Sequence, residues 1–273
     1  MTWLDIASLA GFCLTWAGYT VFARRKAKTA WCLASSMQWY RVEWMLRMLE
    51  RDVRIPDAAI LGNLERVIGF FASTSILILA GLVTALSADT AAVEVLSSLP
   101  FAQETTTGQF DAKVLVLILI YIFAFFNFTW SLRQYSFANV LLGAAPLIDE
   151  EEVSRDERRR YAISAAKVID QAGHSYNYGL RSFYFSMAVM GWFIHPLLFV
   201  AGYLMVVLVL FLREFHSRME NLVFSHNGTL DDYFGDGIFA TFGVPDVGAS
   251  DAGNTLACAR DMLAMIDDWN AER

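Results

Sequence analysis

The stretch NYGLRSFYFSMAVMGWFIHPLLFVAGYLMVVLVLFLR, residues 177–213, decides how the chain is organised. Nothing charged stands between Arg181 and Arg213. As one helix the uncharged run would extend roughly 46 Å, against a hydrocarbon core of about 30 Å. A single pass would need a tilt of ~50°, outside the usual range of about 0–40°. His195-Pro196 lies near the middle, and proline disfavours helical geometry in the residue before it. The stretch therefore reads as two short passes, 182–194 and 197–212, meeting at His195-Pro196. Their lengths, about 20 and 24 Å, imply local thinning of the bilayer or a first half that is partly re-entrant.

Composition agrees. The chain has 273 residues, 56% hydrophobic and 18% charged, with the apolar residues gathered in long runs. A soluble domain carries about 25% charged residues, so this is the balance of an integral membrane protein with soluble appendages. Cys13, Cys32 and Cys258 are far apart in sequence, with no CxxC pair, which argues against a disulfide framework or a zinc site.

Upstream, residues 3–22, 67–88 and 114–132 are apolar runs long enough to span. Arg24, Arg25, Lys26 and Lys28 follow the first run instead of preceding it, so it reads as an uncleaved anchor with its N-terminus outside. Residues 29–66 form a basic connector. Within it Met37, Tyr40, Trp44 and Met48 recur at helical spacing, which suits either a helix lying on anionic lipid or one docked on the protein. The loop 89–112 is acidic and reads as external; residues 147–181 return to the basic side. Of 21 Lys and Arg, nine lie between Arg24 and Arg66 and six between Arg155 and Arg181, while only Lys113 borders the external loop. The positive-inside rule then gives about five passes, N-out and C-in. The fold expected is an all-α helical membrane bundle over 1–218, with a cytoplasmic β-hairpin and helix over 219–273. The basic runs flank membrane passes, so no nucleic-acid partner is read from them; the partner is the lipid bilayer, with homo-oligomer contacts available to the membrane helices or the tail.

The motifs FNFTWSLRQYSFANVLLGAAP (126–146), NYGLRSFYFSMAVMGWFIHP (177–196) and REFHSR (213–218), with FFASTSILILAGL in the second run, resemble the multi-pass bacterial and plant membrane family called domain of unknown function 599. The resemblance covers about residues 1–218. It implies a membrane location, in a bacterium the inner membrane, and no assigned activity. Two readings of its polar residues stand side by side. Arg133 and Arg181 are interface anchors that snorkel, or Asn127, Trp130, Arg133, Gln134, Asn177 and Arg181 form a pocket open to the cytoplasm. Arginine with neighbouring amides would suit a lipid headgroup or phosphate, as in a transporter-like module. His195 is read as a solvated turn residue, with a proton-relay role as the alternative.

After Arg218 the pattern changes. NGTLDDYFGDGIFATFGVP reads as strand, tight turn, strand, and SDAGNTLACARDMLAMIDDWNAER as a helix capped by Ser250 or Asp251. Leu256, Ala259, Met262, Leu263 and Ile266 are its expected apolar face. Residues from about 222 to 273 resemble a fragment of a class III nucleotide cyclase catalytic domain. The resemblance implies that Asp236 is one of two carboxylates holding catalytic Mg or Mn. The upstream carboxylate position falls among membrane residues Tyr203 to Leu212, and Asp232 stands where many adenylyl cyclases carry a base-reading lysine. The remaining elements would begin after Arg273. The tail is therefore expected to be inactive as it stands, with Asp236 vestigial and no cofactor bound. The alternative is a membrane-anchored cyclase, a phosphorus–oxygen lyase, completed by further sequence or a partner.

Overall fold

The computed structural model describes residues 2–29, 33–88, 93–94, 105–148, 150, 152–234, 237–244 and 247–271. The chain forms two compact units, residues 1–22 with 36–206, and residues 23–35 with 207–273. Helices α1 (Trp3–Thr29), α2 (Leu33–Leu49), α3 (Ile55–Ser87), α4 (Thr107–Gly143), α5 (Arg155–Trp192) and α6 (Pro196–Ser225) precede strands β1 (Gly228–Phe234) and β2 (Gly237–Phe242) and helix α7 (Asp251–Ala271). Among the described residues four helices are long and apolar enough to cross a membrane: Trp3–Phe22 of α1, α3, α4 and α6.

Each apolar run read from sequence lies in a helix, but the helices continue well past the runs. α3 starts at Ile55 with proline in its first turn, where the missing N–H has no helical partner to lose. The connector 29–66 is therefore mostly helix, holding α2 and the start of α3. α2 docks on the bundle through Met45, Met48 and Leu49, which are buried, whereas Met37, Trp39 and Tyr40 are exposed. Of the two surfaces its apolar face could have met, the protein takes the C-terminal half.

The chain breaks at His195-Pro196 as the proline requires. α5 ends at Trp192, α6 starts at Pro196, and the Leu197 amide donates to His195 Nδ1 at 3.1 Å. The first half of this hairpin is not a separate short helix, however. It is the end of α5, one 38-residue helix of about 57 Å that also takes in YAISAAKVIDQA. Asn177 to Arg181 resembles a boundary in polarity, but nothing in it terminates a helix. α5 is started instead by a capping box at Ser154: its amide and hydroxyl both donate to Glu157 Oε2 at 2.9 Å. Those bonds, the amide's first, hold the Glu157 carboxyl below its ordinary pKa.

α5 packs along α4, and α4 along α3. Small residues permit the close approaches. A Cβ on Gly179 of α5 would come within 2.5 Å of the Phe128 ring of α4, and one on Gly202 of α6 within 3.1 Å of the Ala188 Cα. Phe128, Phe185, Trp192 and Phe199 are fully buried, and Trp192 stacks on Phe199 at 4.9 Å. At the other end of α4 two arginines hold the turn after Gly143 through its backbone carbonyls, and the Leu147 amide donates to Glu150 Oε1 at 3.1 Å. Arg54 donates to Ala145 O and Pro146 O, each at 2.6 Å. Arg158 donates to the carbonyls of Leu147, Ile148 and Glu150.

In the second unit β1 and β2 pair antiparallel from Gly228↔Phe242 to Phe234↔Gly237, with a bulge at Asp231. Asn227 enters the hairpin with φ 58°, a left-handed conformation that asparagine tolerates. α7 packs on β2, and His226 meets Asp261 of α7 at 2.8 Å. The strand–strand–helix order agrees with the sequence reading, and Ser250 takes the cap position, its carbonyl accepting from the Asn254 amide. The expected apolar face of α7 is rotated. Leu256 and Leu263 are 63% and 66% exposed, while Cys258 is buried and Met262 and Ile266 are half-buried. The narrow hairpin covers only one strip of the helix. Burial, and next the Asp261 carboxylate, push the Cys258 thiol up.

Gly179→Ala should destabilise the α4–α5 pair by about 1–3 kcal/mol, because the enclosed Phe128 ring has no room to retreat. A detergent-unfolding titration of the purified protein checks this; Gly18→Ala, where a Cβ meets open space, is the matched control.

Candidate functional site: polar layers in the helix bundle

The first unit gathers buried charged side chains in two layers. One gathers at Trp192. The indole Nε1 donates to Asp5 Oδ1 of α1 at 2.9 Å, and Lys113 Nζ of α4 donates to the Trp192 carbonyl at 2.9 Å while lying 5.6 Å from its ring centroid. Asp5 Oδ2 also accepts from the amide and hydroxyl of Thr2. Asp5 and Lys113 are each 3% exposed. Four helix ends, the starts of α1, α4 and α6 and the end of α5, are thus tied around one tryptophan.

The other layer gathers at Asp170 of α5. Its carboxylate pairs with Arg41 of α2, and His174 Nε2 stands 3.7 Å from its second oxygen. The guanidinium lies over Gly173, where a Cβ would come within 2.8 Å of Arg41 Nη2. Tyr135 of α4 is buried within electrostatic reach of Arg41, Asp170 and Tyr176. Nearby on the chain, Asp57 is completely enclosed and accepts from Trp44 Nε1 and Arg51 Nη1, each at 2.6 Å. Lys113 to Tyr135 on α4 and Asp170 to Trp192 on α5 each measure about 33 Å of helix rise. The space between is filled by Phe12, Phe71, Phe128, Phe183 and Phe185, which pack ring against ring.

The residues picked out in the sequence are placed as follows. Trp130 is exposed, and Arg133 lies 5.7 Å from its ring and 5.5 Å from that of Phe137, all on one side of α4. Gln134 turns inward, is buried, and its Oε1 has no hydrogen-bond partner among the described residues. Asn127 donates to the Phe123 carbonyl on its own helix at 2.8 Å, and Asn177 is exposed. Arg181 stands about midway between the two layers, roughly 16 Å of rise from each. It faces the rings of Tyr19 at 5.2 Å and Tyr178 at 5.7 Å. His195 is half-buried at the turn, and Asp236 lies outside the described residues. The sequence reading passed over Asp5, Arg41, Asp57 and Asp170. Their signal was available only as isolated charges beside apolar runs, and it takes the fold to pair them.

A scan against known families matches residues 7–219 to the family described as Protein of unknown function, DUF599. The chain belongs to that family. Searches of curated proteins and of solved structures found no match. The DUF599 match takes in both polar layers except Thr2 and Asp5. It ends before β1, so the hairpin and α7 lie outside the shared region.

Asp170→Ala strands the Arg41 guanidinium in its enclosed seat and should lower stability by up to about 3 kcal/mol. The double variant Arg41→Met/Asp170→Leu should regain most of that loss, since an apolar pair of similar volume replaces both charges. Detergent-unfolding titrations of the two variants against the parent protein measure both effects.

Proposed function

We propose that this DUF599 protein is a five-pass membrane protein with its N-terminus outside, its tail in the cytoplasm, and a membrane domain without catalytic machinery of its own. The observation that carries the reading is the spacing of the two polar layers. About 33 Å separates them on both α4 and α5, close to the ~30 Å of a bilayer's hydrocarbon core. α5 reaches the Trp192 layer beside the starts of α1 and α4, so its second half runs as deep as they do. It adds a fifth pass to the four apolar helices, although Arg181 and several small polar residues keep its hydropathy low. The Arg41 layer lies with the basic connectors and is assigned to the cytoplasmic side, in a bacterium that of the inner membrane.

Single cysteines at Thr105, Arg159 and Asn227, in a chain with Cys13, Cys32 and Cys258 replaced by serine, test the topology. A membrane-impermeant maleimide applied to intact cells should label only the first. Label at Asn227 from outside would leave α5 as a non-crossing helix and overturn the five-pass arrangement.

For the tail, we infer a cyclase-like hairpin and helix that bind no catalytic metal pair on their own. In support, the position of the second metal-holding carboxylate falls within Tyr203 to Leu212, a stretch with no Asp or Glu. Purified protein given Mn²⁺ with ATP or GTP should form no cyclic nucleotide above the level of a protein-free control; product above that level would favour the membrane-anchored cyclase.

A further inference from the structure

We infer that Arg181, with the rings of Tyr19 and Tyr178, forms an anion site in the membrane bundle, taking a phosphate group of the kind carried by an anionic phospholipid. The inference rests on the membrane reading above. Elsewhere in the first unit the half-buried and buried cations have oxygen acceptors. Arg41 has Asp170, Arg54 and Arg158 have backbone carbonyls, and Lys113 has the Trp192 carbonyl. Arg181 is half-buried, lies about 16 Å from either layer, and has two aromatic faces but no oxygen acceptor among the described residues. Ring faces attract a cation without satisfying its N–H groups, and an ionisable group at this depth is costly unless something complements it.

The surroundings suit the rest of such a molecule. Helical side chains lean toward the helix N-terminus, which for Arg181 is the direction of the Arg41 layer. A headgroup entering from that leaflet would meet the guanidinium. On another face of α1, an open groove of about 410 Å³ is lined by Cys13, Trp16, Ala17, Thr20 and Val21, apolar surface of the kind an acyl chain covers. Trp16, which lines the groove, also stacks on Phe185, one turn beyond Arg181 on α5. Planar guanidinium suits two phosphate oxygens at once, which Lys does not reproduce.

The test is lipid retention by the purified full chain from mixed micelles of phosphatidylglycerol and phosphatidylcholine, read by native mass spectrometry. Phosphatidylglycerol should be retained about tenfold over its mole share, the worth of one charge-assisted contact. Arg181→Gln should abolish the excess and Arg181→Lys should reduce it, while Arg133→Gln at the exposed edge should leave it in place. An added arm titrates inorganic phosphate. Displacement of the lipid at millimolar phosphate would identify a soluble phosphate as the occupant, and resistance to it the headgroup; both support the site. Two results overturn it: no excess in the parent protein, which needs no variant to fold, or an excess that persists in Arg181→Gln. Neither depends on cysteine labelling, so the site and the topology fail separately.

Discussion

The cost of taking an ion out of water organises this molecule. A charged side chain in hydrocarbon loses its hydration, and only a partner or a route to the interface makes up for it. The membrane unit meets that demand by pairing buried charged groups at two levels. Asp5, Lys113 and Trp192 satisfy one another at one level, and Arg41, Asp170 and His174 meet at the other. Aromatic rings fill the distance between. A buried ion pair adds little net stability over an apolar pair, but it penalises misplacement heavily. The layers therefore act chiefly on register, fixing how far each helix can slide along its neighbours.

α5 shows what a helix looks like when it packs closely against several neighbours. Gly173, Gly179, Ser182, Ser186 and Ala188 are buried along it, and its small faces let α2, α4 and α6 approach. Ser182 and Ser186 donate to carbonyls on their own helix, and Ser186 also meets the Tyr121 hydroxyl of α4. Buried small residues of this kind lower the hydropathy of a segment and favour close packing in membrane bundles. Low hydropathy in α5 thus goes with its close packing.

Much of this was legible in the residues. The apolar runs, the break at His195-Pro196, the hairpin and the final helix follow from local chemistry: run length, proline sterics, turn residues and capping. The full length of α5 did not, because Asn177 and Arg181 look like the edge of a membrane segment when their packing is unknown. The orientation of α7 was misread for a similar reason. Leu256 and Leu263 share a face by spacing, but a two-stranded hairpin covers too little of the helix to bury it. The pairing of Asp170 with Arg41, far apart in sequence, is tertiary information that a pattern of single charges does not carry.

The turn between α4 and α5 carries a different implication. Arg54 and Arg158 grip it through main-chain carbonyls, a contact blind to side-chain identity. Leu147 and Ile148, whose side chains are exposed, can vary with little penalty as long as the backbone path is kept, whereas Arg54, which reaches two carbonyls through its two terminal nitrogens, is not reproduced by lysine, which lacks the fork. Selection should fall on the hand that holds the loop and leave those two positions free to drift.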